Sequence, residues 1–90
     1  MNERRLKILV VDDDERLRVL LRTTFEVVET VVEEVADVVA AREAIARSSP
    51  DVVVLDVHLP GTDGLEFARE LKADASTSEV GIVLLTGGNL

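Results

Sequence analysis

An α/β fold with a parallel sheet is predicted for this 90-residue chain, and three observations predict it. Short apolar runs, "KILVV", "DVVVL" and "VGIVLL", show little polar alternation, as strands do when both sheet faces are covered. Between them lie stretches whose apolar residues recur at three and four, the spacing of amphipathic helices. Pro50 and the Pro-Gly and Asp-Gly pairs after Asp56 punctuate the change from one pattern to the other. Strands alternating with helices imply right-handed crossovers.

The first strand is expected over residues 6–12, "LKILVVD". Asp14 is a candidate N-cap, and Leu17, Leu20, Leu21, Thr24 and Val28 continue from it at helical spacing. The next stretch admits two readings. Val27, Val28, Val31, Val32, Val35, Val38 and Val39 fall three and four apart, and no Gly or Pro occurs before Pro50. One helix over about 14–48 satisfies that pattern. A strand over 31–36 between two helices satisfies the β-branched composition instead. Pro50 ends the helical pattern, 51–56 reads as a buried strand, and "HLPGTDG" reads as a loop. A helix over 65–74 follows, with Asp63 as its candidate cap. A last strand covers 80–86, and "GGNL" is a loop.

Composition narrows the function classes. The length suits one small domain. Apolar residues make up 47% but only 2% are aromatic, so aliphatics must fill the core. The net charge of −8 opposes direct contact with nucleic acid or an anionic membrane surface. Without cysteine, disulfides and thiolate chemistry are excluded. The apolar runs are too short to span a bilayer, and the charged start "MNERRLK" leads into one too short for a secretory signal. A cytoplasmic location is expected.

Asp12 and Asp13 end the first strand and Asp56 ends a later one. Ligands of open parallel sheets bind outside the carboxyl ends of the strands. If the two strands are neighbours, about 4.8 Å apart, their carboxylates share one pocket. Like charges so placed repel, and a hard divalent cation relieves them. Asp13 or Asp14 alone reads as a helix cap. Asp56 does not, because the next helix begins several residues later. Thr86 ends the last strand, where its hydroxyl could donate to a phosphoryl oxygen, although a Thr-Gly-Gly after a strand is by itself a turn. His58 is the sole histidine and reads as an exposed loop residue. Ser48 and Ser49 lie far from the acidic cluster, so no Ser-His-Asp constellation is expected.

The segments "KILVVDDDE", "PDVVVLDVHLPGTDGLEFARELK" and "VGIVLLTG" together resemble the receiver domain of two-component response regulators. They cover most of the chain in the family's order. The resemblance implies a flavodoxin-like open parallel sheet and a phosphoacceptor signalling module. Asp56 would receive a phosphoryl group from a sensor histidine kinase or phosphotransfer protein. Asp12 and Asp13, with Asp56 and the backbone carbonyl of His58, would hold Mg²⁺. Thr86 would be the switch hydroxyl, and Pro60 and Gly64 would shape the loop after the acceptor. The module would not be an enzyme beyond self-dephosphorylation.

The family pattern has five strands in the order 2-1-3-4-5. Residues 1–90 are expected to form a single, incomplete receiver domain of order 2-1-3-4, with the fifth strand and last two helices missing. The lysine that ends the family's fifth strand is then absent. Lys7 begins the first strand, about 15 Å from its acidic end at about 3.3 Å per residue, and Lys72 is expected at the opposite end of the sheet. The last strand becomes an apolar edge, an association hazard. Homo-oligomerisation, exchange of elements between copies, or a place in a longer protein is expected to cover it. Two other functions compete with the phosphoacceptor. One is a non-phosphorylated interaction module. The other is a phosphohydrolase with Asp12 as nucleophile, although "DDDER" carries Arg16 where such enzymes commonly have Thr or Val.

Overall fold

A computed structural model describes residues 5–26, 29–59 and 61–85. The order of elements is β1 (Leu6–Val11), α1 (Glu15–Phe25), β2 (Thr30–Val35), α2 (Val38–Ser48), β3 (Val52–Asp56), β4 (His58–Leu59), β5 (Thr62–Asp63), α3 (Gly64–Ala73) and β6 (Gly81–Leu85). Four of the strands form one parallel sheet in the order β2-β1-β3-β6. This is the predicted 2-1-3-4 arrangement of a flavodoxin-like open sheet. The remaining two, β4 and β5, form a short antiparallel pair inside the stretch expected to be a loop. Gly61 joins them with φ +69°, a backbone state that glycine adopts without a Cβ penalty.

The continuous apolar runs do alternate, but between two covered faces. Leu9, Val11, Val53 and Leu55 face one cluster, which Val38, Ala41 and Ala44 of α2 and Phe67 and Leu71 of α3 complete. Ile8, Val10 and Val54 face the other, against Leu21 and Phe25 of α1. Small Ala41 and Ala44 let α2 lie close to the sheet. Helix α1 buries none of its residues fully, and Leu20 on it is 60% exposed.

The valine-rich stretch resolves as strand plus helix. Thr30, the first residue of β2, donates its Oγ1 hydroxyl to the Phe25 carbonyl at 2.7 Å. β2 then pairs with β1 from Leu6↔Thr30 to Val11↔Val35. That ladder outweighs helical spacing, because a β-branched segment beside a buried strand gains both backbone hydrogen bonds and apolar contact. Val27 and Val28 lie outside the described residues. Helix α2 starts at its Asp37 cap, which accepts from the Ala40 N–H at 2.8 Å. It ends at left-handed Ser49, before Pro50.

The two sheet edges differ. On β2, Glu33 pairs with Arg47, and Glu34 pairs with Arg18 and Arg22. β6, "GIVLL", carries no charge, and its Val83 is 48% exposed.

Candidate functional site

Register places the acidic residues together. Val11 lies opposite Leu55 in the β1–β3 ladder, so Asp12 and Asp56 come next at adjacent strand tips. Asp12, Asp13 and Asp56 each offer a carboxylate oxygen, and these lie within 4.8 Å of one another. They line a depression of about 460 Å³ with Asp14, His58, Leu17 and Leu85. The convergence expected from the sequence is therefore present. Thr86, Gly87, Gly88 and Pro60 lie outside the described residues.

The cap question also resolves. Asp14 caps α1, its carboxylate accepting from the N–H groups of Arg16 and Leu17 at 3.0 and 3.4 Å. Asp63 caps α3 through the Leu65 N–H at 2.9 Å. Asp13 is exposed beside the pocket. Asp56 is half-buried, and its Oδ1 accepts from the His58 N–H at 2.9 Å, which folds the chain back over the tip. Helix α3 begins hard against the same tip. The Gly64 N–H donates to the Val57 carbonyl at 3.0 Å, and a Cβ on Gly64 would lie 2.3 Å from the Asp56 carbonyl oxygen.

Asp12 is the most constrained of the three. It is 1% exposed, and its Oδ1 accepts from the Asp14 N–H at 2.8 Å. Its Oδ2 is buried, with no hydrogen-bond partner among the described residues. Burial pushes its carboxyl above the 3.8 of a free aspartate. The Asp14 N–H pulls the other way, and the charges of Asp56, Asp13 and Asp14 add to the rise. The native state therefore binds this proton more tightly than the unfolded chain does. Stability from this group is fully present below about 3.8 and is lost as pH rises through the raised value. At neutral pH the buried charge is a net cost. Asp12→Asn keeps the acceptor for Asp14 and places an amide where Oδ2 has no partner. It is expected to stabilise the metal-free domain at pH 7 by on the order of 1 kcal/mol. That corresponds to about 4–8 °C in the melting midpoint, shrinking toward zero near pH 4. A midpoint at pH 7 no higher than that of the wild type contradicts this account.

The donor set fits a divalent cation. It consists of carboxylate oxygens, the hard ligands that Mg²⁺ prefers, and one buried oxygen has no partner among the described residues. His58 lines the same depression. Both lysines among the described residues are engaged elsewhere. Lys7 Nζ donates to the Ser48 carbonyl at 3.1 Å. Lys72 Nζ donates to the carbonyls of Ser78 and Val80, just before β6 begins. Both anchors lie at the amino end of the sheet, as the sequence implied.

Sequence reasoning missed Arg18, whose Nη1 donates to the Asp12 backbone carbonyl at 2.6 Å. Its only signal is position, one turn beyond the Asp14 cap. It reaches back to the strand tip from there.

The family described as "Response regulator receiver domain" matches residues 8–89. The chain belongs to that family, a signalling module of two-component systems. It is 42% identical over 81 residues to "Response regulator MprA" of Mycobacterium sp. strain KMS, covering 90% of this chain and 34% of that protein. It is 37% identical over 79 residues to "Phosphate regulon transcriptional regulatory protein PhoB" of Pseudomonas aeruginosa, covering 88% of this chain and 34% of that one. The chain thus spans about a third of these relatives. Among solved structures, chemotaxis protein CheY4 of Vibrio cholerae superposes with a TM-score of 0.86 at 26% identity. That match covers 97% of this chain and 72% of the other. Among the described residues, no helix is long and apolar enough to cross a membrane.

Proposed function

We propose that Asp56 accepts a phosphoryl group from a sensor histidine kinase or a phosphotransfer protein, at a site where Asp12, Asp13, Asp56 and the His58 backbone carbonyl hold Mg²⁺. The convergence of three carboxylates within 4.8 Å carries this reading. Bound there, the cation would supply positive charge to offset the oxygens of the incoming phosphoryl group. Asp56 is the better nucleophile of the three by access, since it is half-buried while Asp12 is enclosed. The His58 N–H holds Asp56 Oδ1, which fixes the carboxylate plane and leaves Oδ2 to attack phosphorus in line. The new O–P bond forms as the phosphohistidine N–P bond breaks, and the imidazole leaves with the electron pair and takes up a proton. Asp12, fixed through Oδ1, would offer its second oxygen to the cation. Thr86 would donate its hydroxyl to the phosphoryl group. Water would later hydrolyse the acyl phosphate, so the chain is a switch and not an enzyme acting on other molecules. A cytoplasmic setting accompanies this reading. Labelling by a small-molecule phosphodonor or beryllofluoride in Mg²⁺, with the modified residue mapped, tests it. The alternatives are Asp12 as nucleophile, or no label at all.

One observation favours a second role for the 90-residue chain. The β6 edge is apolar and uncharged where the β2 edge is guarded by glutamates. An edge strand of this kind presents backbone N–H and C=O groups as a template for pairing with another strand. The identical strand of a second copy fits that template without bringing charge to it. Light scattering at micromolar concentration is expected to show a dimer or larger species, and Val83→Lys is expected to shift it toward monomer. A stable compact wild-type monomer overturns this.

A further inference from the structure

We propose that Arg18 is the positioning residue of the acidic site. Its guanidinium holds the Asp12 carbonyl where β1 stops, and so aims the Asp12 and Asp13 carboxylates at the cation. The inference rests on the Mg²⁺ reading above.

Asp12 is tied at three points. Its N–H donates to the Val35 carbonyl at 3.1 Å, Arg18 Nη1 donates to its carbonyl at 2.6 Å, and its Oδ1 accepts from Asp14. The two ladder and turn contacts fix the residue from the strand side and from the helix cap. The Arg18 contact fixes the peptide plane between Asp12 and Asp13. Both carboxylates project from the ends of that peptide, so a rotation of its plane swings both. Mg²⁺ tolerates little departure from octahedral geometry, so such a swing is felt as lost affinity.

The guanidinium is itself held. Its Nε lies 3.6 Å from Glu34 on β2, and both side chains are only 18% exposed. Glu34 also takes Arg22 at 2.9 Å. Helix α1, strand β2 and the tip of β1 therefore meet at one planar group, which can engage a carboxylate and a carbonyl at once. Arg22 separates geometry from charge. It brings the same charge to the same glutamate, and its guanidinium is the more exposed of the two.

Mg²⁺ titration of the ¹⁵N-labelled chain, followed by amide resonances, reads folding and occupancy together. Arg18→Met keeps the aliphatic stem and removes the donors. It is expected to weaken Mg²⁺ binding about tenfold, as loss of a group that orients metal ligands does. Arg18→Lys, which restores one donor but not the planar fork, should recover part of that loss. Arg22→Met should stay within about twofold of the wild type. If Arg18→Met does not fold, Arg18→Leu, which also lacks donors, takes its place with the same expectation. Binding by the Met variant within about twofold of wild type, no recovery by Lys, or an equal loss in Arg22→Met overturns the inference. A wild type that shows no Mg²⁺-dependent shifts sinks the underlying reading instead, which keeps the two failures apart.

Discussion

Asp56→Asn is expected to take up no phosphoryl label or beryllofluoride in Mg²⁺, while the wild type is modified at Asp56. The substitution is nearly isosteric. Its carbonyl oxygen can still accept from the His58 N–H, as Asp56 Oδ1 does at 2.9 Å, so the fold around the tip is retained. What disappears is the nucleophile, because a neutral amide oxygen does not form a stable acyl phosphate. Asp13→Ala probes the same site from the other side. It leaves Asp56 intact but removes one of three converging oxygens, and the heat of Mg²⁺ binding is expected to vanish with it. A label mapped to Asp12 would instead identify a phosphohydrolase-like site. No label on any residue together with no heat of Mg²⁺ binding would favour the interaction module, its acidic cluster vestigial. The loss in Asp56→Asn should be complete, and any substantial residual labelling contradicts the assignment.

Gly64→Ala is the largest stability effect expected from a single methyl group. The added Cβ would lie 2.3 Å from the Asp56 carbonyl oxygen and 2.8 Å from the Val57 Cα. Both are backbone atoms and cannot swing aside. Alanine gains about 1 kcal/mol in helix propensity, but forced overpacking costs about 3 kcal/mol here, at the upper end of its usual range. The steric term wins, for a net loss of about 2 kcal/mol and a midpoint lower by about 8–16 °C. Helix α3 must then lift from the tip of β3, which moves either Phe67 in the core or Asp56 in the site. Gly61→Ala is the control. It meets nothing within 4 Å but has φ +69°, and an alanine there costs only about 1–2 kcal/mol of backbone strain. A Gly64→Ala midpoint equal to that of the wild type would show that the close approach is absent.

Much of this was legible in the sequence because two signals agreed. The runs at 6–12, 51–56 and 80–86 correspond to β1, β3 and β6 within about a residue at each end, and the helix expected at 65–74 is α3 at Gly64–Ala73. Pro50 and the aspartate caps marked boundaries by a mechanism that does not depend on tertiary context. The valine stretch was ambiguous for a physical reason. Val32 packs on the α1 side of the sheet and Val35 on the α2 side, while Val31 and Val39 are exposed. Their helical spacing therefore reflects no common face. The β4–β5 pair escaped because two residues per strand give no periodicity to read. For the site, the aspartates announced themselves by standing at the ends of apolar runs. Arg18 did not, because its importance lies in a contact with a backbone carbonyl, and that contact exists only once α1 has docked.

The pairing of Val11 with Leu55 has a consequence for how such a pocket can change over evolutionary time. A slip of β3 by one position would turn Val53 and Leu55 away from Phe67 and in the same movement carry Asp56 about 3.3 Å past Asp12. Ligand spacing and interior packing are thus set by a single discrete choice. Errors in the first are punished through the second, so interior packing itself resists drift of the repulsive anions along the strands, and local contacts such as that of Arg18 need only set their orientation.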